Sequence, residues 1–256
     1  IAASKQESSG TSRRDLGSWW KKFQGQAHAE APGKNEYRIF GVALDQSIMY
    51  ANVAISLFNE AGESYIYGYV PIIVGKCGVF LKGKATGVEG IFVTPGQQER
   101  VQELKVVFHS PERYGKGFDW AGYSVHDAAS TLILFLENLP EPVIPYEWFK
   151  AFDTAMPNEW RRVMETIEEY QSLIRRMPAP HRQLLLYLLD FFVVFAAKSD
   201  YNKATCSVLA SKFQHGILRR HDDVQDHSNE YETSYNKRVS QGILVFLIEN
   251  QDHFLI

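Results

Sequence analysis

Few side chains in this sequence are arranged for acid–base chemistry. His126 and Asp127 are adjacent and could form an acid–base pair. Asp127 also stands three residues after Ser124 and just ahead of an apolar helical pattern, which is the arrangement of a capping box. The start of a helix therefore explains the same residues more simply than a catalytic pair does.

Several signatures of catalysis are absent from the sequence. It has no Gly-x-x-x-x-Gly-Lys-Ser/Thr phosphate loop, no Gly-x-Ser-x-Gly elbow and no His-Glu-x-x-His zinc helix. The two cysteines, Cys77 and Cys206, are too far apart in sequence for a metal or redox motif. We therefore predict no metal site and no cofactor.

The segment from Val88 to Gly96 has the composition of a shaped loop. A short apolar run, Ile91-Phe92-Val93, lies between Gly90 and the turn residues Pro95-Gly96. Glycine and proline at this density interrupt regular structure, and a helical pattern starts directly afterwards. The sequence thus predicts a loop of defined shape at the entrance to a helix.

Composition limits the classes of protein that the chain can belong to. Apolar residues make up 45% of the 256 residues, which is ample for a packed core. The charges nearly balance, with 27 basic and 30 acidic residues, so a nucleic-acid-binding protein is not indicated. Two cysteines make no disulfide framework, and no apolar run reaches the length of a membrane span. These features favour a cytoplasmic protein.

Helical periodicity predicts the scaffold around the loop. Apolar residues recur at steps of three and four, with no convincing alternation of strands. We predict an all-α bundle of about eight or nine helices over residues 37–256, with a long polar loop at 214–236. The clearest helical patterns cover residues 48–58, 71–81, 97–108, 124–139, 159–177, 181–198, 205–213 and 238–250.

The first 36 residues are mostly polar and small, and they predict a flexible tail. Basic and aromatic residues interrupt this composition at one place. They could contact an anionic membrane surface, or the two tryptophans could pack on the domain or on a missing neighbouring segment. The residues of this island are Arg13, Arg14, Trp19, Trp20, Lys21 and Lys22.

Three sequence blocks, in this order and at these spacings, resemble the Rho-family GTPase-activating (RhoGAP) domain. They are Glu89-Gly90-Ile91-Phe92, Leu139-Pro140-Glu141-Pro142 and the His-Arg-x-Leu-Leu run of residues 181–185. Residues 66–71 and 246–256 resemble the fungal branch of that family. The resemblance implies a helical bundle that docks on a GTP-loaded Rho-type GTPase. It also implies a loop arginine, the arginine finger, which is worth about 10³–10⁵ in rate.

The sequence departs from the family at the positions that the resemblance marks as functional. Val93 stands where the family has the arginine finger. Substitutions also fall at four positions that contact the GTPase or adjoin that contact: Ile133 for lysine, Glu137 for arginine, Val208 for asparagine and His215 for proline. The apolar members of this set could form a new patch on the surface, or they could fill separate local gaps.

These substitutions predict a non-catalytic binding module, a pseudo-GAP, whose GTPase-activating activity is weak or absent. The expected partner is a Rho-family GTPase or a protein that replaced it. A second hypothesis is an active Rho GTPase activator with a non-standard finger, for which we consider Arg100, Arg113 and Lys116. A third is a membrane-surface or scaffolding protein that uses the N-terminal island, located in the cytoplasm and peripherally at membranes.

Overall fold

The computed structural model describes residues 38–58, 62–111, 113–157, 162–221 and 230–254. They form ten α-helices, two 3₁₀-helices (Tyr146–Trp148 and Gln251–His253) and one β-hairpin. The predicted helical bundle is confirmed, and the hairpin is an addition to the all-α prediction. The elements in chain order are α1 Leu44–Ser47, β1 Asn52–Phe58, β2 Ser64–Pro71, α2 Ile72–Lys84, α3 Gln98–His109, α4 Val125–Glu137, α5 Phe149–Ala155, α6 Val163–Arg176, α7 Ala179–Ala196, α8 Ser199–Asn202, α9 Cys206–Ile217 and α10 Glu230–Glu249.

Helix α7 is the central helix of the core, as its broad apolar face predicts. By length and composition alone it could cross a membrane, but 61% of its residues are buried inside the protein. The fully buried side chains include leucines in the middle of the helix and phenylalanines in its C-terminal part. They are Leu184, Leu185, Leu188, Leu189, Phe191, Phe192 and Phe195.

The predicted helix at residues 48–58 is wrong. Helix α1 ends at Ser47, and residues 52–58 form strand β1, which pairs antiparallel with β2 from Asn52 opposite Pro71 to Phe58 opposite Ser64. Val53, Ile55 and Leu57 alternate along this segment, and β-branched residues favour strands. The pairing with β2, which begins at Ser64 directly after the connection, decides between the two periodicities.

The predicted loop at residues 214–236 is shorter than expected at both ends. Helix α9 continues to Ile217, where Gln214 and Gly216 are buried, and α10 begins at Glu230. The helix ends were predicted as loop because polar residues there interrupt the helical spacing of apolar residues. The other predicted helices are present, with ends displaced by a few residues.

Candidate functional site

The Val88–Gly96 loop begins with a tight turn at Gly90. The Gly90 N–H donates to the Asn202 carbonyl at 2.9 Å, and the Gly90 carbonyl accepts from the N–H groups of Val93 and Thr94 at 2.9 and 2.8 Å. Gly90 has a φ of +69°, a conformation that suits glycine. The turn therefore has a fixed shape and is attached to the segment that leads into α9.

Phe92 anchors the loop in the core. It is 4% exposed, and its ring meets Phe195, Phe213 and Phe191 edge-on, with centroids 4.9, 5.3 and 5.9 Å apart. The next residue, Val93, is 52% exposed. A rigid, buried neighbour thus holds residue 93 on the surface of the protein.

The far end of the loop is attached to α4. The Gly96 N–H donates to Ser130 Oγ at 2.9 Å, and the Gln97 N–H donates to Asp127 Oδ1 at 2.8 Å. The other carboxylate oxygen of Asp127 accepts the N–H of Ser124, which completes the predicted capping box. Asp127 is 1% exposed. Its oxygens are occupied by the loop and the helix start, so it acts as a structural residue.

Helices α4 and α9 lie side by side next to the loop. The α4 side chains of Asp127 and Ser130 contact the loop near the start of that helix, and Asn202 contacts it shortly before α9 begins. Near their C-terminal ends the helices touch again, where Gly216 packs against Leu136. The loop and these two helices form the candidate site.

The structure places the other predicted contact positions on these two helices. Ile133 is half-buried and packs against the core, whereas Glu137, one turn later, is exposed. On α9, Val208 is half-buried and His215 is exposed. The Val208 N–H donates to Thr205 Oγ1, the cap of the helix. Their contact with a GTPase stays a prediction.

Arg219 joins the C-terminal ends of the two helices, and the sequence did not indicate this role. It is 5% exposed and donates to the Leu139 carbonyl at 2.8 Å and to the His215 carbonyl at 2.7 Å. Loss of solvent raises the pKa of nearby Glu137, and the positive charge of Arg219 opposes that rise. In the sequence, Arg219 falls within the segment predicted to be a polar loop.

None of the three basic residues considered as substitute fingers is well placed for that role. The Arg100 guanidinium donates to the Gly122 carbonyl and lies 5.4 Å from the centroid of the Tyr123 ring. Arg113 and Lys116 follow the C-terminal end of α3, whereas the loop precedes its N-terminal end. At 1.5 Å per residue, the 12-residue helix separates its two ends by about 18 Å.

Lys203 is a basic residue that lies directly beside the loop, and the sequence analysis did not single it out. It follows Asn202, whose carbonyl accepts the Gly90 N–H, and its backbone is left-handed with a φ of +62°. The side chain is exposed, and its Nζ donates to the Asp200 carbonyl at 2.7 Å. Only the tertiary contact between Gly90 and Asn202 indicates that Lys203 is near Val93.

The loop, its anchor and the flanking helices lie within a stretch of the chain that matches a known type of domain. A profile of the RhoGAP domain matches residues 71–222 of this chain. The chain belongs to the RhoGAP family. The family resemblance inferred from the sequence blocks is thereby confirmed.

Fungal Rho-GTPase-activating proteins are similar to most of the chain. Rho-GTPase-activating protein 5 of Schizosaccharomyces pombe is 40% identical over 243 residues, which cover 95% of this chain. Rho-GTPase-activating protein BAG7 of Saccharomyces cerevisiae is 31% identical over 207 residues, or 78% of this chain. The chain spans 64% and 50% of the lengths of these two proteins.

Solved RhoGAP structures share the fold. Human Rho GTPase activating protein 15 superposes with a TM-score of 0.68 at 20% identity, covering 92% of this chain and 98% of that one. The BH domain from GRAF, the GTPase regulator associated with focal adhesion kinase, gives a TM-score of 0.60 at 22% identity. It covers 72% of this chain and 93% of that domain. These likenesses establish the helical bundle of the RhoGAP domain.

The comparisons contradict one prediction. From the sequence we expected no activator function, with weak or absent GTPase-activating activity, because Val93 and the four contact positions are substituted. Both fungal relatives are named as GTPase-activating proteins. The loop scaffold that presents residue 93 is also complete, from the Gly90 turn to the Gln97–Asp127 hydrogen bond. The prediction of an inactive domain considered only the substituted side chains and not the loop scaffold that holds them.

Proposed function

We propose that this RhoGAP domain binds the GTP-loaded form of a Rho-family GTPase and stimulates GTP hydrolysis. The chain is a RhoGAP-domain protein of Rho GTPase signalling. The observation that carries the proposal is the anchored loop, in which buried Phe92 holds Val93 on the surface beside α4 and α9. Such a loop positions a residue toward the partner without a further ordering cost.

Positive charge near the transferring phosphoryl group is the part of the mechanism that Val93 cannot supply. Charge spreads over the phosphoryl oxygens in the transition state, and a cation held close to them lowers the barrier. We infer that Lys203 supplies this charge. Its backbone adjoins the Gly90 turn, and its side chain is exposed on a flexible four-carbon stem.

The resting contact of Lys203 is compatible with this role. Its Nζ donates to a backbone carbonyl and has no salt bridge among the described residues. Exchanging that hydrogen bond for a phosphate oxygen separates no ion pair, so the cost is small. Arg100, in contrast, would have to leave both a carbonyl and an aromatic ring.

The experiment is a single-turnover GTP hydrolysis assay with a panel of Rho-type GTPases and an excess of the chain. We expect at least one GTPase to hydrolyse GTP faster than its intrinsic rate, with saturation as the chain is added. A pull-down with the GDP- and GTP-loaded forms shows docking independently. Binding of the GTP form with no stimulation for any member of the panel would contradict the proposal.

A cytoplasmic location with peripheral membrane contact stays a prediction. The six residues proposed for that contact lie outside the described residues. Vesicle co-sedimentation of the full chain and of a chain lacking residues 1–36 measures the contribution of this segment.

A further inference from the structure

A cavity of about 630 Å³ opens between the β-hairpin, α2 and the loop that precedes α4. This volume falls in the range of about 300–1,000 Å³ that is usual for small-molecule sites. Its walls are mostly apolar, with Val53 and Ile55 from β1, Val79 and Phe80 from α2, and Phe118 and Trp120 from the loop. The cavity is separate from the Val88–Gly96 loop and from the contact positions on α4 and α9.

Aromatic packing gives this cavity a firm wall. The Phe80 and Trp120 rings are stacked, with centroids 4.5 Å apart and planes 8° from parallel. Phe118 meets the edge of Trp120 at 5.1 Å. On the other side, Tyr187 of α7 packs closely on Gly78, where an added Cβ would collide with its hydroxyl. These contacts keep the cavity open as part of the fold.

The rim of the cavity is positively charged. Helix α2 contains Lys76, Lys82 and Lys84 and no acidic residue, and all three lysines line the cavity. Lys82 forms a partly exposed salt bridge with Asp190 at 3.3 Å. This salt bridge does not neutralise the charges of Lys76 and Lys84. A group that carries negative charge at the rim is therefore favoured.

Tyr187 adds a hydrogen-bond donor to the cavity. Burial raises the pKa of its hydroxyl to about 12, so the group is protonated at neutral pH. Among the described residues, no hydrogen-bond partner of this hydroxyl is present, although Lys82 lies over the ring at 5.5 Å. The cavity thus combines apolar walls, a free donor and a cationic rim.

We propose that this cavity binds a single-chain anionic lipid, with the alkyl chain against the aromatic wall and the anionic head group at the lysine rim. An alkyl chain has no polar groups to satisfy inside an apolar cavity, whereas a peptide would bring backbone N–H and C=O groups that need partners. The concave shape fits one chain rather than a bilayer surface. The head group lies near the C-terminal turn of α2, which leads into the Val88–Gly96 loop.

Decyl phosphate below its micellar concentration is a suitable probe for calorimetry with the full chain. We expect saturable binding of one molecule per chain, at least about tenfold tighter than inorganic phosphate or decanol, because charge and chain both contribute. Val79→Glu should weaken binding by at least about tenfold, since Val79 is 71% exposed and lines the cavity. Lys84→Glu should do the same at the rim.

Two exposed positions away from the cavity provide matched controls. Val106→Glu places the same charge on a 66% exposed valine of α3, and Lys150→Glu reverses an exposed lysine on α5. Both should leave decyl phosphate binding within about twofold, because neither side chain lines the cavity and surface charges are screened with distance. Thermal melts identify any variant that fails to fold.

Several results would overturn the proposal. Absence of saturable decyl phosphate binding excludes the site. Equally tight binding of inorganic phosphate shows a simple anion site, and equally tight binding of decanol shows that the rim has no role. Binding to vesicles of phosphatidylserine but not to monomeric decyl phosphate assigns the surface to a membrane. If the control variants weaken decyl phosphate binding as much as Val79→Glu and Lys84→Glu do, the effect is a general one of charge and not of the cavity.

Discussion

At the scale of single residues, the proposed mechanism divides between Val93 and Lys203 what one arginine does in the family resemblance. Val93 occupies the exposed tip, and buried Phe92 fixes its position. In that proposal Lys203 supplies the charge from the segment before α9, where the Asn202 carbonyl accepts the Gly90 N–H. In the proposed mechanism, the position at the tip and the positive charge therefore belong to two different residues, and each residue can be substituted alone.

Val93→Arg should raise the saturating rate of stimulated GTP hydrolysis by at least about tenfold, toward the range associated with an arginine finger. The reason is that residue 93 is already held at the exposed tip, so a guanidinium there adds charge without reorganisation. The rate is measured in single turnover with excess domain. Val106→Arg, on another exposed valine, in α3, is the control. An unchanged rate for Val93→Arg would show that the tip does not reach the nucleotide.

At the scale of elements, the close contact of α4 and α9 sets the shape of the candidate site. A Cβ added at Gly216 would lie 2.6 Å from Leu136 Cβ and 2.9 Å from its carbonyl carbon. The second of these atoms is backbone and cannot move aside cheaply. The two helices can approach this closely because position 216 has no side chain.

Gly216→Ala should lower the free energy of unfolding by about 1–3 kcal/mol, because the added methyl group forces the helices apart. Gly83→Ala is the matched control, since a Cβ at that helical position meets open space. It should raise stability by about 0.5–1 kcal/mol through helix propensity. Urea denaturation of both variants measures the difference. A neutral Gly216→Ala would mean that α4 and α9 can separate freely.

Local patterns predicted the elements whose information is contained within a short stretch of sequence. The capping box at Ser124 and Asp127 and the central helix α7 are examples, since a cap and an apolar face are both local. Strand β1 was predicted as a helix because its apolar residues fit either period. Its identity depends on β2, and a single sequence does not reveal that pairing.

The sequence likewise predicted one part of the candidate site, the loop, and missed other residues of it. The loop was found because glycines, Pro95 and the Glu-Gly-Ile-Phe run lie next to one another. Lys203 and Arg219 were missed because their positions matter only through distant contacts: the neighbour of Lys203, Asn202, contacts Gly90, and Arg219 contacts Leu139. The prediction of an inactive domain had the same origin, since it weighed side chains without their scaffold.

At the scale of the whole molecule, one core connects the hairpin, α2 and the loop to α7. Cys77 of α2 is 0% exposed within it, and Cys206 at the start of α9 is half-buried. Burial raises the pKa of both thiols. The thiolate is the reactive form, so both cysteines react slowly in the native protein, and Cys77 reacts more slowly.

Iodoacetamide at pH 8 should therefore modify Cys206 before Cys77, and Cys77 only when the core opens. Peptide mass spectrometry after timed labelling measures both sites. In urea, Cys77 labelling should rise together with the loss of helical circular dichroism, since its exposure requires unfolding of the core. Rapid labelling of Cys77 in native buffer would contradict the buried position of α2.

The central claim is that this domain stimulates GTP hydrolysis with Lys203 as the source of charge. The most direct measurement is the saturating single-turnover rate for the responsive GTPase with the unchanged chain, Lys203→Met and Lys150→Met. Lys150 is an exposed lysine of α5, outside the candidate site, and controls for general surface charge. We predict that Lys203→Met lowers the stimulated rate by at least about tenfold, or about 1.4 kcal/mol of barrier, while half-saturation changes little. Equal rates for all three proteins would contradict the account.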